Sequence, residues 1–298
     1  MSRARPTSWT GAYEYLTERI KTLLAEGKPV GVLGSARATN EENYLAGKLA
    51  RAGLHTNNLD FCGHAACRPL LEGFEHAAGP DWPCASLKDV VASDLIVLVE
   101  GNLAETHPQA ASAVMRALRQ RARLITMGCR TTQMARLASL HLPTAPGREG
   151  EAVNELLAAA RWMDRIGAND ASPDGGPGAT RPSDSSLQAA KWLARAARVS
   201  ILVPPLAGPP DRCQQNAAAL AALGGVSGSS NHRVFGLLPL LSRGNTRGAC
   251  DMGVAPDRLP GYEPIDARAA RQRLQDLWGT SLPSSSGKNA ASCSSQYC

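Results

Sequence analysis

Apolar residues recur along the chain in two alternating rhythms. Residues 94–100 (DLIVLVE) form a continuous apolar run with an acid at each end, the pattern of a strand covered on both faces of a parallel sheet. Residues 29–33 (PVGVL), 123–127 (RLITM) and 199–204 (VSILVP) repeat it more briefly. Between these runs the spacing is helical. Residues 9–26 place Tyr13, Leu16, Ile20, Leu23 and Leu24 on one face. Further helices are expected over 41–52 with Asn40 as N-cap, 86–92, 108–121, 132–140, 149–165, 187–197, 212–223 and 267–278. Strands alternating with helices at this interval imply right-handed crossovers and parallel pairing. The fold class is therefore α/β, with parallel sheets flanked by helices.

Punctuation divides this pattern. Residues 168–186, rich in Gly, Pro, Asp and Ser, are expected to be a linker. Residues 224–262 carry Gly and Pro at loop density. From 280 to 298 the chain has few bulky apolar residues and is expected to be a disordered tail. A chain of 298 residues most simply makes two domains. Its 43% hydrophobic content excludes global disorder. No apolar run approaches the roughly 20 residues a membrane-crossing helix needs. The opening MSRARPTSWTGAYEYL has no apolar signal core, so a cytoplasmic location is expected.

A net charge of +6 invites an anionic partner, but the Arg and Lys residues are scattered, with no basic run. A solvated surface, an acidic partner subunit or an anionic cofactor accounts for that better than specific nucleic-acid binding. The eight cysteines lack the spacing of a disulfide scaffold, which suits reduced thiols. Cys62 and Cys67, in CGHAAC, are the close pair in the folded part.

Two stretches suggest ligand chemistry. In DLIVLVEGNLAETHP, Gly101 and Asn102 fall where a parallel strand ends, the edge at which open α/β sheets usually bind ligands. Gly lets the backbone approach a phosphate or ring, Asn offers both a donor and an acceptor, and Pro108 suits the first turn of the next helix. A plain strand-to-helix turn accounts for the same spacing. In MGCRTT, Arg130 follows the next strand and is placed either for phosphate or for solvent. RGNTRGACDMG, with Asn245, Arg247 and Asp251, is costly to order without a ligand or a packed partner.

Taken in order, the SW at Ser8 and Trp9, TNEENYLAGKLARAGLHTNNLD, DLIVLVEGNLAETHP, LITMGCRTT, the APG after HLP, and RGNTRGACDMGVAPDRLPGY resemble the molybdopterin oxidoreductases. The likeness is to the formate dehydrogenase alpha subunit and the large iron–sulfur subunit of complex I, over nearly the whole chain. It implies two related α/β domains, the second inserted in the first: residues 1–66 with 187–279, and 67–167. It also implies that positions matching Gly101, Asn102, Glu105, His107, Arg130, Asn245 and Asp251 line a molybdopterin guanine dinucleotide site.

The departures from the family pattern shape the functional expectation. The chain starts at the Ser-Trp segment, which the family's iron–sulfur domain precedes, so no iron–sulfur cluster is expected. It stops at LWGTSLP, before the family's closing C-terminal domain. On the metal-binding loop, alignment through Asp60, Pro69 and Gly73 puts Ala66 at the position of the Cys or selenocysteine ligand and Cys67 at the following His; His64 replaces a loop arginine. Alanine has no donor for molybdenum. A one-residue slip would make Cys67 the ligand. The Asp-Pro-Arg turn is Gly128-Cys129-Arg130 here, so a carboxylate that would take bonds from guanine or ribose is expected to be missing. Arg148 and Arg247 replace an acid and a Gln.

The expected function is thus a non-catalytic or degenerate scaffold in a redox complex, beside iron–sulfur or flavin subunits and inactive alone. Its alternatives are an active molybdenum or tungsten formate dehydrogenase-type subunit completed by partner chains, and a nucleotide-binding regulator.

Overall fold

The computed structural model describes residues 6–167, 181–226, 234–290 and 292. Of the expected linker over 168–186, residues 168–180 lie outside them and its end, from Asp184, is already helical; most of the tail beyond 290 also lies outside. The chain forms two compact units: Met1–Ala65 with Arg243–Cys298, and Ala66–Ser242.

The first unit opens with helix α1 (Trp9–Ala25), capped by the Ser8 hydroxyl accepting the Gly11 N–H at 3.1 Å. The helix forms as expected, but none of its residues is buried. Strands β1 (Val32–Gly34) and β2 (Leu59–Phe61) pair in parallel. Helix α2 (Asn40–Lys48) and a π-helical turn, Leu49–Gly53, connect them. The cap of α2 is Thr39 and not Asn40. The Thr39 hydroxyl accepts from Glu42 N–H while the Glu42 carboxylate accepts from Thr39 N–H, so both end groups are satisfied at once. The π-turn buries Arg51, whose guanidinium donates to Asn57 Oδ1 and to the carbonyls of Gly253, Ala255 and Arg258 at 2.6–3.0 Å. Burial lowers its pKa to about 10, partly opposed by Asp257. With four acceptors around it the buried charge is tolerable, and it ties the unit's two chain segments together. Helix α3 (His64–Ala78) then leaves the first unit.

In the second unit α4 (Leu87–Val91) leads into β3 (Leu95–Val99), all five of whose residues are buried. There follow α5 (Leu103–Thr106), α6 (Pro108–Arg119), β4 (Arg123–Gly128), α7 (Gln133–Leu137) and β5 (Leu140–Pro143). Next come α8 (Glu149–Gly167), α9 (Asp184–Arg195), β6 (Arg198–Val203), α10 (Pro210–Val226) and β7 (Val234–Pro239). The five strands make one parallel sheet in the order β5-β4-β3-β6-β7. One face of the sheet packs Ile96, Leu98, Leu124 and Leu202 against Val90, Val114, Ala117 and Met134. The chain returns to the first unit through α11 (Thr246–Asp251) and α12 (Arg268–Trp278), the latter ended by Gly279 at φ +68°.

Besides the cap of α2, three expectations change. The resemblance assigns residues 187–242 to the first domain, but β6 pairs with β3, with Leu95 opposite Val199, so they complete the second unit's sheet. The physical reason is that β3 is buried along its whole length, so its backbone N–H and C=O groups cannot reach water and need a paired strand at each edge. The helix expected over 132–140 stops at Leu137, and Leu140–Pro143 becomes β5. Residues 280–290 are held in place: Asn57 Nδ2 donates to the carbonyls of Pro283 and Ser285 at 3.1 and 2.8 Å, and Lys288 N–H donates to Asn58 Oδ1 at 2.8 Å. Hydrogen bonds to backbone, invisible to a count of bulky apolar residues, order this segment.

Candidate functional site

From β3 the chain builds outward to β4 and β5, then crosses back to lay β6 and β7 on the other side. The sheet order therefore reverses at β3, and ligands of open parallel sheets bind beside the C-terminal strand ends at such a point. Glu100, Gly101 and Asn102 occupy that end. Glu100 and Gly101 adopt φ +51° and +91°. A Cβ on Gly101 would meet only Pro204 Cγ, at 3.6 Å, so the demand for glycine there is conformational and leaves open space above the backbone. Asn102 precedes α5 without a side-chain cap, and its Oδ1 is a buried acceptor with no hydrogen-bond partner. Such an atom is costly unless a ligand or water supplies a donor.

Beside these residues lies an open cleft at the strand ends. As an enclosed cavity it amounts to only about 10 Å³, so it is a shallow surface depression rather than a closed pocket, lined by Leu98, Glu100, Gly101, Thr126, Gly128 and Arg130, among others. Its floor is polar, because Thr126 Oγ1 and His141 Nδ1 are joined at 2.9 Å. Arg130 is exposed at the rim.

The other anticipated residues divide in two ways. Glu105 is exposed in the single turn of α5. His107 packs inward, Nε2 donating to the Leu241 carbonyl at 2.9 Å and Nδ1 lying 3.0 Å from Thr106 Oγ1. It fixes the entry to α6 more than it faces a ligand. Asn245 and Asp251 belong to the first unit. Asn245 Nδ2 donates to Ala38 O at 2.7 Å and to Asn40 Oδ1 at 3.0 Å, clamping the 36–40 turn against α11. Asp251 Oδ1 accepts from Arg247 Nε at 3.3 Å, and the Arg247 guanidinium lies 5.4 Å from the Tyr262 ring centre. Burial, then the Asp251 carboxylate, raise the Tyr262 phenol above its ordinary pKa.

On the loop aligned with the family's metal ligand, Ala66 is exposed in the first turn of α3, whereas Cys67 is only 2% exposed. His64 Nδ1 lies 2.8 Å from Asp60 Oδ1, in a buried pair. Among the described residues no three His, Cys, Asp or Glu side chains group closely enough to hold a metal ion.

Sequence reasoning missed Glu100, read there only as the polar end of a strand. The available signal was an acid immediately before the Gly-Asn pair.

Comparison with known proteins agrees with this architecture. The family model for molybdopterin oxidoreductases matches residues 3–173, more than half of the chain. Formate dehydrogenase H of Escherichia coli is 28% identical, over 96% of this chain and 43% of its own length. The F420-dependent formate dehydrogenase subunit alpha of Methanocaldococcus jannaschii is 27% identical, over 94% and 44%. An NADH-quinone oxidoreductase subunit of Rhizobium meliloti is 31% identical, over 95% and 33%. The chain thus spans less than half the length of these relatives. Among solved structures, acetylene hydratase from Pelobacter acetylenicus matches 78% of this chain and 34% of its own at a TM-score of 0.52 and 18% identity, a likeness of fold. No helix among the described residues is long and apolar enough to cross a membrane. With a family match over 3–173 and parallel sheets whose central strand end carries the Gly-Asn turn, this chain belongs to the molybdopterin oxidoreductase family.

Proposed function

We propose that this formate dehydrogenase-like chain is a scaffold subunit of a cytoplasmic redox complex. In this reading it keeps the nucleotide end of a molybdopterin guanine dinucleotide site and gives the metal no protein ligand. The observation that carries the reading is Ala66. It stands where the family presents a thiolate or selenolate, and a methyl group has no lone pair to offer. Its neighbours are poor substitutes. Cys67 is buried, and His64 is engaged by Asp60.

The second unit supports the retained half of the reading. Asn102 Oδ1 is a buried acceptor without a partner, Gly101 leaves room for close backbone approach, and Arg130 offers a planar cation suited to phosphate. When bound, the pterin would supply sulfur ligands to a redox metal. This chain's residues would hold the nucleotide and exclude water from it. Iron–sulfur or flavin subunits are the partners such a scaffold would serve.

The test is the complex purified from the native host, with Cys67→Ser beside the wild type. Pterin and molybdenum or tungsten are measured on each, together with formate-dependent dye reduction. The expected result is unchanged pterin and unchanged turnover in Cys67→Ser. Loss of turnover with all subunits still present would overturn the scaffold reading and make Cys67 the metal ligand.

A further inference from the structure

Glu100 is placed in an unusual way. Its backbone sits at φ +51°, a region that side-chain-bearing residues adopt only when the surroundings enforce it. Its N–H donates to Met127 O at 2.7 Å. Its Oε1 accepts the Cys129 N–H at 3.0 Å and the Thr144 hydroxyl at 3.4 Å. The carboxylate therefore lies across the C-terminal ends of three adjacent strands: β3, which carries it, and β4 and β5, whose following turns donate to it. Oε2 accepts no hydrogen bond among the described residues, and the group lines the cleft that also holds Arg130. Room is left for it at Gly128, where a Cβ would come 3.1 Å from Oε1.

In parallel sheets that bind dinucleotides, the Gly-bearing turn follows one strand, and an acid further along the chain takes the ribose hydroxyl. Here Gly101 ends β3, and the neighbouring turn Gly128-Cys129 after β4 contains no acid. Glu100 fills that lack from the adjacent strand, so the carboxylate expected to be missing at this turn is present but comes from another position. We propose that Glu100 is the ribose-reading residue of the second unit's cleft. Oε1 is fixed by Cys129 and Thr144, and Oε2 accepts a hydroxyl of a purine nucleotide whose phosphates approach Arg130. A single open acceptor oxygen suits a hydroxyl donor, and the strained backbone is what aims it. This inference rests on the reading above that the nucleotide end of the site is retained.

The full chain is titrated calorimetrically with GDP, 2′,3′-dideoxy-GDP and ADP, as wild type, Glu100→Gln, Glu100→Ala and Gly128→Ala. A hydrogen bond to a charged group predicts that the wild type prefers GDP to the dideoxy analogue by about tenfold or more. Glu100→Ala should bind the two alike, and Glu100→Gln, which replaces a charged acceptor by a neutral amide, and Gly128→Ala, which crowds Oε1, should fall between. Equal melting temperatures establish that the variants are folded, and Gly128→Ala tests the same geometry with the carboxylate intact. Retained discrimination against the dideoxy analogue in Glu100→Ala would overturn the proposal. So would loss of GDP-over-ADP preference alone, which would make Glu100 a base reader. If wild type binds no GDP, the assignment also falls, and the pterin content of chain from the native host separates the two readings. Pterin present leaves the retained site standing; pterin absent removes both.

Discussion

The end of β2 and the end of β3 are built from similar parts and have opposite characters. Each is a buried parallel strand that runs into a helix beside a carboxylate and a polar partner. At β2, Asp60 is saturated: Oδ1 accepts from Phe61 N–H at 2.9 Å and meets His64 Nδ1 at 2.8 Å, and Oδ2 accepts from Ala290 N–H at 2.7 Å. Burial pushes its pKa upward, but the bonds from His64, Ala290 and Phe61 and the His64 charge outweigh this and hold it below 3.8. At β3, Asn102 Oδ1 is buried with no partner, and Glu100 keeps one oxygen uncommitted. A binding site is recognised less by which polar residues it contains than by which of them the fold leaves unsatisfied. By that measure β3 ends in a site and β2 in a joint.

The sharpest way to break this contrast is Asp60→Ala. It strands the buried Phe61 N–H, the half-buried Ala290 N–H and His64, and losing one member of a buried pair costs about 3 kcal/mol or more. Denaturant unfolding should show that loss at neutral pH. Because the folded pKa is depressed, the Asp60 contribution is fully present above the unfolded value of about 3.9. Its charge-dependent part disappears as pH falls through the folded value, so the gap between wild type and variant should narrow in acid. A gap that stays constant down to strongly acidic pH would show that the carboxylate's charge contributes nothing.

A smaller effect is expected from Asn245→Ala, which removes donors to Ala38 O and Asn40 Oδ1. About 1–2 kcal/mol of stability should be lost. Loss of nucleotide affinity with unchanged stability would restore Asn245 to a binding role.

The smallest stability change, under about 0.5 kcal/mol, is expected for Asn102→Ala, since Oδ1 satisfies no protein donor. Nucleotide affinity should nevertheless fall about tenfold. A clearly lower melting temperature for Asn102→Ala would place it with Asp60, as a structural residue.

Much of the sheet was legible in the chain because a strand buried on both faces must be apolar throughout. LIVLV, RLITM and VSILV announce β3, β4 and β6 without reference to any partner. What periodicity missed was short or mixed. LHLP at β5 and VFGLLP at β7 are edge strands with Pro and a half-exposed face, and LDF at β2 is too brief to show a period. Motif spacing located the Gly101-Asn102 turn and the family, because glycine at positive φ and a strand-end amide are local requirements.

Which polar groups remain available was not local. Asn245 and His107 looked as functional as Asn102 until Ala38 and Leu241 were found bonded to them across 207 and 134 residues. Glu100 looked like a strand terminus until its carboxylate was seen against Cys129, 29 residues on. The sequence by itself determined the helices, the strands buried on both faces and the family, since those depend on neighbours within a few turns. Only the tertiary structure decided which donors and acceptors are satisfied, because hydrogen-bond partners are chosen in space and long-range partners leave no periodic trace in the chain.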